Sequence, residues 1–430
     1  MNLSYFEKLA QLQKPIKIGI AGAGEFSIEM ITQVSYIKNM EVSVIADMHP
    51  EVAVKAFIMA GYDSSDIVIS KSVKDAVMYM ELGKKVVLED GLMVSELPVD
   101  AVCDITGDPC FGAEFAYRAI ENGKHVIVIN IESDVIVGPI LRRLADKAGV
   151  VYTEGDGDQP SLIKGLYDWA SLLGLDVFAA GKWTHINPVE LQILEGKRTD
   201  IGYSDGSKNQ VEMCCVANMT GLLPDIRGMH KPSLKLEEIL GSFNIKERGG
   251  IFSQAGVIDV VNCISPDGKI KVEPLLGGGI FIVISTENPA AQYAIKNKGF
   301  LHSMDGRHAL IYRPYHFVGI ETPISIAKAV LYGEPTGSPL PTPVADVITI
   351  AKKDLYPDEI LDGIGGKTIR GLVEKIEVVR KENLLPLGLA ENVKVNRFIP
   401  NGTVITYDML TEEGDSFVWR LRRLQDSVCL

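Results

Sequence analysis

The stretch IKIGIAGAGEFS, from Ile16 to Ser27, decides the fold of the first part of the chain. It reads as a buried β-strand, a glycine turn and the start of a helix, and the apolar run Val42–Ala46 follows as a second strand. Similar valine- and isoleucine-rich runs alternate with helical segments of about 10 to 15 residues. This alternation indicates a parallel sheet covered by helices on both faces. The sequence therefore predicts an α/β fold with a doubly wound, Rossmann-type sheet.

Beyond the first sheet the pattern of the chain changes. Up to about Gly333, helical segments such as QVEMCCVANMTG mix with strand-like pieces such as GGGIFIVIST, which is typical of an α+β region. The proline-rich segment GEPTGSPLPTPVAD, Gly333 to Asp346, predicts an extended crossing. After it, VITIAKKDL, NVKVNRFIPNGTVITYDML and SFVWRLRRLQ are expected to be short strands of a small β-rich domain.

These patterns predict three domains. A dinucleotide-binding domain is expected over residues 1–160 and an α+β catalytic domain over 161–338. The late helix 322–332 of the second domain is a candidate for packing back on the first. The β-rich domain is expected over 344–430.

Charge and hydropathy restrict the partners. The chain has 43 Lys and Arg against 56 Asp and Glu, a net charge of −13, and a diffuse acidic field repels nucleic acids and anionic lipids. The N-terminus lacks the layout of a secretory signal, and no run of 18 apolar residues predicts a membrane span. We therefore expect a cytoplasmic protein with a small-molecule substrate, no nucleic-acid partner and no membrane partner.

The glycine turn predicts a dinucleotide site. Gly22 suits a tight turn, and Gly24 lets the backbone approach a pyrophosphate. The helix that opens at Glu25 and Phe26 presents unpaired amide groups to the phosphates. Asp47, at the end of the next strand, can accept hydrogen bonds from ribose hydroxyls and repels a 2′-phosphate. The residues thus favour an NAD-like cofactor and leave NADP open; the competing interpretation is a plain strand–turn–helix corner.

Two later strand ends are expected to face the nicotinamide half of the cofactor. Thr106 and Gly107 follow the strand DAVCDI, and Asn130 follows HVIVI. Ligands of open α/β sheets bind beyond the carboxyl ends of the strands, which favours a cofactor contact. These residues fit ordinary turns equally well.

Lysines in the second domain are candidates for proton transfer. Reduction of a carbonyl needs a proton donor to the oxygen, and a desolvated lysine meets that need. Lys182 follows the apolar run DVFAAG, where a buried amine is costly unless it is paired or functional. Lys208 lies where a turn feeds a helix, so Ser207, Lys208 and Asn209 could bind a phosphate or carboxylate. The alternatives are a solvated lysine at a strand exit and a capping turn.

Acidic and basic residues nearby complete the candidate site. Asp205 and Glu212 could move protons or hold a divalent cation, and all-oxygen ligands suit Mg²⁺ or Mn²⁺. A solvated acidic turn is the simpler interpretation. In RPYH, Arg313 could bind a carboxylate or phosphate of the substrate and His316 could act beside it. A structural ion pair for Arg313 explains that motif as well.

Together the motifs resemble a known family of NAD(P)-dependent oxidoreductases. Its members combine a homoserine-dehydrogenase-like NAD(P)-binding domain, a deoxyxylulose-phosphate-reductoisomerase-like (DRL-type) catalytic domain and a C-terminal SAF domain. The resemblance spans nearly the whole chain. It rests on GIAGAGEF at Gly19, EGDGDQPSLI at Glu154, AAGKWTH at Ala179, DGSKNQVEM at Asp205, RPYHFVGIETPISIAKAVL at Arg313, DVITIAKKDL at Asp346, LDGIGG at Leu361 and LPLGLAENVKV at Leu385.

The resemblance implies a homodimer that transfers a hydride between NAD(P) and a polyhydroxy, hydroxy-acid or sugar-phosphate substrate. DRL-type members rearrange the carbon skeleton before reduction, usually with a divalent cation. In that picture Lys182 and Lys208 polarise the substrate oxygen or clamp its phosphate, and Asp205 or Glu212 moves protons or holds the cation. The alternatives are homoserine dehydrogenase, which converts aspartate semialdehyde to homoserine, and a catalytically inactive nucleotide or metabolite sensor.

Overall fold

In a computed structural model, residues 4–184, 205–263 and 278–429 are described. They divide into two units, each with its own β-sheet. Within these ranges, no helix is both long and apolar enough to cross a bilayer. The first unit consists of Met1–Ser161, Phe317–Pro341 and Ser416–Leu430, and the second of Leu162–His316 and Thr342–Asp415.

The units group the chain differently from the three expected domains. Residues 342–415 lie in the same unit as 162–316, and the segment 317–341, which contains the late helix, lies in the first unit. Whether 1–160, 161–338 and 344–430 fold as separate domains stays a prediction.

The first unit contains a seven-stranded parallel sheet in the order β3-β4-β2-β1-β5-β6-β7, which confirms the doubly wound fold. Helices α1 to α6 connect its strands, and α11 and α13 come from later in the chain. The strands are β1 (Ile16–Ala21), β2 (Met40–Ala46), β3 (Ile67–Ile69), β4 (Lys85–Leu88), β5 (Ala101–Asp104), β6 (His125–Val128) and β7 (Tyr152–Glu154). The helices are α1 (Tyr5–Gln11), α2 (Glu25–Ser35), α3 (Pro50–Met59), α4 (Val73–Glu81), α5 (Pro109–Glu121), α6 (Ile131–Ala148), α11 (Val318–Tyr332) and α13 (Phe417–Val428), with 3-10 turns at Ser64–Asp66 and Gly91–Glu96.

The core of this unit follows from the apolar strand sequences. Ile18, Ile20 and Val42 are fully buried because helices cover both faces of the sheet. Helix α11 packs against α2, where a Cβ at Gly319 would lie 2.5 Å from the Cβ of Glu29. A side chain at residue 319 would therefore force the two helices apart.

The segment SFVWRLRRLQ is helix α13, and its prediction as a strand is wrong. Phe417, Trp419 and Leu421 alternate as in a strand, which produced the error. The residues that are buried include Val418, Leu421 and Gln425, which recur three and four residues apart. That spacing is helical, and the buried face packs against α5 and α6.

The second unit is built around a six-stranded mixed sheet in the order β12-β13-β11-β8-β10-β9. Strand β8 is central, parallel to β10 and antiparallel to β11. Its strands are β8 (Asp176–Trp183), β9 (Leu223–Pro224), β10 (Val257–Val261), β11 (Ile280–Ser285), β12 (Leu301–His302) and β13 (His308–Arg313). Its helices are α7 (Gln159–Leu172, which starts in the first unit), α8 (Ser207–Thr220), α9 (Ile239–Ser242), α10 (Pro289–Asn297) and α12 (Ile376–Lys381), with 3-10 turns at Leu236–Glu238, Lys246–Arg248, Leu387–Leu389 and Tyr407–Met409.

A two-stranded antiparallel sheet, β14 (Ala345–Ala351) and β15 (Ile369–Lys375), represents the predicted β-rich region. The predicted strands in NVKVNRFIPNGTVITYDML are absent among the described residues of that segment, which forms isolated bridges instead. The turn Pro400–Gly402 interrupts the run and limits regular pairing. Likeness to a SAF domain stays a prediction.

Candidate active site

The turn between β1 and α2 is as tight as the glycine motif predicts. Gly22 has φ +96°, and a Cβ there would lie 2.8 Å from the carbonyl oxygen of Ile105. Ser27 is fully buried, and its hydroxyl donates to the carbonyl of Gly22 at 2.7 Å. Ser27 therefore ties the first turn of α2 to the glycine turn.

The amino end of α2 is open. Gly24 is its N-cap residue and provides no side-chain cap, and no atom lies within 4 Å of a Cβ built there. Among the described residues, the amides of Glu25 and Phe26 donate to no acceptor, and both side chains are exposed. Unpaired amides at a helix start attract anions, so this end fits a pyrophosphate.

Asp47 lies beside this turn, directly after β2. Its Oδ2 accepts from the amide of Ala23 at 2.9 Å, and its Oδ1 accepts from the amide of His49 at 2.9 Å. Each carboxylate oxygen can accept more than one hydrogen bond, so both retain capacity for ribose hydroxyls. The structure thus brings Gly22, Gly24 and Asp47 together as the sequence predicts.

A buried polar cluster joins the ends of β5 and β6. The side-chain Nδ2 of Asn130 donates to Asp104 Oδ2 at 2.9 Å and to Thr106 Oγ1 at 3.2 Å. Thr106 donates in turn to Asp104 Oδ1 at 2.7 Å. Gly107 follows with φ +73°. Thr106 and Asn130 are therefore brought together, and the loop between β5 and α5 has a fixed shape.

Asp104, which sequence reasoning missed, organises this cluster. It is 1% exposed, and burial raises the pKa of its carboxyl to about 6. At Gly112 a Cβ would lie 2.4 Å from Asp104 Oδ2, so only glycine lets α5 approach. A carboxylate as the last residue of the otherwise apolar strand AVCD was the available signal.

In the second unit, strand register places Lys182 and Arg313 on one face of the sheet. Ile280 pairs directly with both of them, on β8 and β13 respectively. Directly opposite residues of neighbouring strands share a face, and strands lie about 4.8 Å apart. Arg313 is thus two strands from Lys182, a separation of roughly 10 Å between backbones.

Lys182 forms a buried ion pair with Glu212, which lies on α8. The Nζ atom of Lys182 donates to Glu212 Oε2, and each side chain is 4% exposed. The pair lies near the end of β8, the central strand. Removing either partner would leave an uncompensated buried charge. This ion pair joins two residues that the sequence analysis named as separate candidates.

The amino end of α8 is tied to the small sheet. Ser207 is fully buried; its Oγ accepts from the amide of Gly371 at 2.9 Å, and its own amide donates to Asp205 Oδ1 at 2.8 Å. Asp205 also forms an ion pair with Lys352. Ser207 and Asp205 therefore hold the helix end in place, while Lys208 is exposed and Asn209 half-buried.

Arg313 lies over the ring of Tyr315, with Cζ 4.5 Å from the ring centroid, and half-buried His316 follows. The structure thus groups Lys182 with Glu212, Asp205 with Lys352, and Arg313 with Tyr315. Asp205 and Glu212 both face ammonium groups. They do not fit a Mg²⁺ or Mn²⁺ site as they are arranged, since a cation would have to displace a lysine.

Comparison with protein families identifies the central part of the chain. Residues 157–322 match the family model described as the catalytic domain of oxidoreductase DRL. This segment is therefore similar to a DRL-type oxidoreductase catalytic domain. It contains Lys182, Glu212 and Arg313, and the predicted enzyme class, oxidoreductase, is confirmed. No curated protein matches the chain by sequence.

Solved structures share only a distant likeness. The chain is similar to a probable dehydrogenase from Thermotoga maritima, with 15% identity, a TM-score of 0.39, and coverage of 74% of this chain and 90% of that one. It is also similar to a 3-ketoreductase from Actinomadura kijaniata solved with NADP (14%, TM-score 0.39, 75% and 91%). A scyllo-inositol dehydrogenase from Lactobacillus casei is similar with 15% identity and a TM-score of 0.41, and the match covers 76% of this chain and 91% of that one. At these values the likeness does not extend to substrate or mechanism.

Proposed function

We propose that this chain is an NAD(P)-dependent oxidoreductase that reduces a carbonyl group of a small polyhydroxy, hydroxy-acid or sugar-phosphate substrate, or oxidises the corresponding alcohol. The observation that carries the proposal is the buried Lys182–Glu212 pair at the end of the central strand of a DRL-type domain. Buried ionisable groups with a fixed partner are common where an enzyme must move a proton.

The first unit provides the proposed cofactor site. The open amides of Glu25 and Phe26 would hold the pyrophosphate, and Asp47 would hold the adenosine ribose. When bound, the nicotinamide supplies or accepts the hydride. Because the charge of Asp47 repels a 2′-phosphate, we expect NAD(H) to bind more tightly than NADP(H).

Lys182 acts as the proton donor in the proposed reaction. As a hydride adds to the carbonyl carbon, the ammonium of Lys182 gives a proton to the carbonyl oxygen, and an alcohol forms. Glu212 positions the ammonium of Lys182 through their hydrogen bond before the transfer. In the reverse direction neutral Lys182 takes the proton back.

Several finer features belong to the proposal. The resemblance to DRL-type enzymes favours a carbon-skeleton rearrangement before reduction, a homodimer and a cytoplasmic location. A divalent cation, if required, would have to bind through groups other than the lysine-paired Asp205 and Glu212.

Asp47 provides the test of the cofactor assignment. In Asp47→Ser we expect NADH to bind about tenfold more weakly and NADPH more tightly, because one charge and its ribose hydrogen bonds are lost. Fluorescence titration with both cofactors measures the change, and Asp63→Ser, which replaces the N-cap carboxylate of the 3-10 turn Ser64–Asp66, is the matched control. Unchanged affinities in Asp47→Ser would contradict the placement of the ribose.

A substrate panel tests the reaction. Sugar phosphates, sugar acids and polyols should be assayed with each cofactor, with and without Mg²⁺, by the absorbance of reduced nicotinamide. Turnover of homoserine, with no turnover of the sugar phosphates, sugar acids or polyols, would favour homoserine dehydrogenase. Cofactor binding without turnover of any panel member, unaffected by loss of Lys182, would favour a sensor.

A further inference from the structure

The loop Asp225–Lys231 runs along one face of β15. Arg227 Nε donates to Glu374 Oε2 at 2.7 Å, and the amide of Gly228 donates to the carbonyl of Val373 at 2.8 Å. A Cβ at Gly228 would lie 2.8 Å from the side chain of Leu372. The loop therefore passes along β15 from Glu374 past Leu372.

Arg370 continues this face of β15. Glu374, Leu372 and Arg370 are two residues apart, so their side chains point to the same side of the strand. The loop passes Glu374 at Arg227 and Leu372 at Gly228, which brings Lys231 toward Arg370. In agreement, burial lowers the pKa of Lys231 and the positive charge of Arg370 lowers it further, while Asp259 opposes the shift.

The backbone of Lys231 is held in a fixed, unusual conformation. Its φ is +52°, a left-handed value that is uncommon for residues other than glycine, asparagine and aspartate. Its amide donates to Asp259 Oδ1 at 2.9 Å, and its carbonyl accepts from the side chain of Asn262 at 2.8 Å. Strained backbone that the surroundings hold in place is concentrated at functional sites.

Within the described part of the chain, no carboxylate forms an ion pair with Lys231 or Arg370. The nearby carboxylate of Asp259 is fully buried, and the amides of His230, Lys231 and Val260 already donate to it. Arg227, on the same loop, differs because both Glu374 and Glu382 pair with it. Among the described residues, two half-buried cations are therefore held near each other without a carboxylate in an ion pair with either.

Hydrogen bonds link the backbone next to both cations to the elements that carry Lys182 and Glu212. Asn262, which fixes Lys231, directly follows β10, where Val260 pairs with Lys182. The residue after Arg370, Gly371, donates to Ser207 at the start of α8, the helix of Glu212. The unpaired cations and the buried pair thus lie at the same end of the second unit's sheet.

We propose that Lys231 and Arg370 form an anion-binding subsite for a phosphate or carboxylate of the substrate. Two cations that converge on one anion bind it more strongly than either alone, and the guanidinium plane suits both groups. The proposal depends on the proposed function in one respect: the anion that binds here is taken to be part of the substrate. It makes the substrate an anion despite the net charge of −13.

Calorimetric titration of the full-length protein with inorganic phosphate tests the subsite. The Gly24→Val variant is the background, because the open start of α2 is a second place where phosphate could bind. We expect saturable binding in this background and about a tenfold loss of affinity on adding either Arg370→Gln or Lys231→Asn. Asparagine removes the charge and tolerates the left-handed backbone, so the fold is kept.

Arg227→Gln is the matched control, since it removes a neighbouring cation that already has two carboxylate partners. It should leave phosphate affinity unchanged. Acetate in place of phosphate separates the two chemical sources, and the tighter ligand identifies the substrate's group. No saturable phosphate or acetate binding, or binding that survives both charge removals, would overturn the subsite. These titrations need neither cofactor nor turnover, so a failure of the proposed reaction leaves their outcome intact.

Discussion

In the first unit, main-chain amides at the start of α2 form the candidate cofactor site, whereas in the second unit buried charged side chains form the candidate catalytic site. The lack of a side chain lets Gly22 approach the backbone of Ile105 and leaves the surroundings of Gly24 open. Around Lys182 and Glu212 the fold instead encloses two opposite charges. The candidate sites thus differ in chemistry: main-chain amides in the first unit and titratable side chains in the second.

The difference determines what each site tolerates. A backbone site is damaged by any added Cβ that meets another backbone atom, but it has no charge that can be lost. A buried ion pair is insensitive to backbone propensity, but removal of one partner leaves the other charge in a low-dielectric interior. Substitutions should therefore separate into effects of added volume in the first unit and effects of lost charge in the second.

The largest expected effect is that of Lys182→Met. We expect turnover to fall at least about 100-fold, because the proton donor is lost, and the free energy of unfolding to fall by about 3 to 5 kcal/mol, because Glu212 is left buried and alone. Thermal or urea unfolding and initial rates measure both changes.

The double variant Lys182→Met with Glu212→Leu separates the two effects. It should recover most of the stability and none of the turnover, since no buried charge remains. Lys164→Met, which breaks an i,i+4 pair with the exposed Asp168, is the surface control and should cost less than about 1 kcal/mol. Full turnover in the double variant would exclude Lys182 as the proton donor.

The second prediction compares the two glycines of the turn. Gly22→Ala should lower the free energy of unfolding by about 3 kcal/mol, because φ is +96° and the new Cβ would meet the carbonyl of Ile105. Gly24→Ala should leave stability within about 0.5 kcal/mol, since its surroundings are open and its φ is −71°. Equal losses in urea unfolding would show that the turn is built differently.

The third prediction concerns the pH dependence of Asp104. Because burial raises its pKa to about 6 in the folded state, the folded protein binds more protons than the unfolded chain between about pH 4 and pH 6. This group's contribution to stability therefore falls as pH rises through that window, by about 3 kcal/mol. Asp104→Asn should remove that change. A stability difference between the two proteins that is the same at pH 4.5 and pH 8 would contradict it.

The smallest expected effect concerns Gln425 on α13, whose side chain forms hydrogen bonds with the backbone of helix α6. Pro139 lies inside this helix and has no backbone N–H to donate, and next to it the side-chain amide of Gln425 accepts from the amide of Ile140 at 3.2 Å and donates to the carbonyl of Ile136 at 3.0 Å. Gln425→Leu should cost about 1 to 2 kcal/mol in urea unfolding, because the amide of Ile140 loses the Gln425 acceptor and the carbonyl of Ile136 keeps only the longer bond from Arg422. Leu424→Ala, at an exposed position of α13, should cost less. An equal loss of stability in both variants would contradict the role of the Gln425 hydrogen bonds.

Local patterns were sufficient to predict much of the fold and part of the site. The glycine turn, Asp47 and the buried Lys182 follow from residues that are adjacent in sequence to an apolar strand. The α13 helix was missed because alternation and helical spacing coexist in a short run of apolar residues.

Partners that are distant in sequence were beyond the reach of such patterns. Nothing local indicates that Glu212 pairs with Lys182, 30 residues earlier, or that Arg370 comes near the loop of Lys231. The role of Asp104 also depends on the approach of Gly112 and Asn130. Sequence patterns predict most of the elements, whereas contacts between elements require the packed structure.

Titration of Gly24→Val with NADH, followed by nicotinamide fluorescence, tests most directly whether the cofactor rests on the open amides of α2. The account predicts saturable binding to the unmodified protein and at least a tenfold weaker affinity in the variant, with the unfolding midpoint unchanged. NADH that binds both proteins equally well would contradict it.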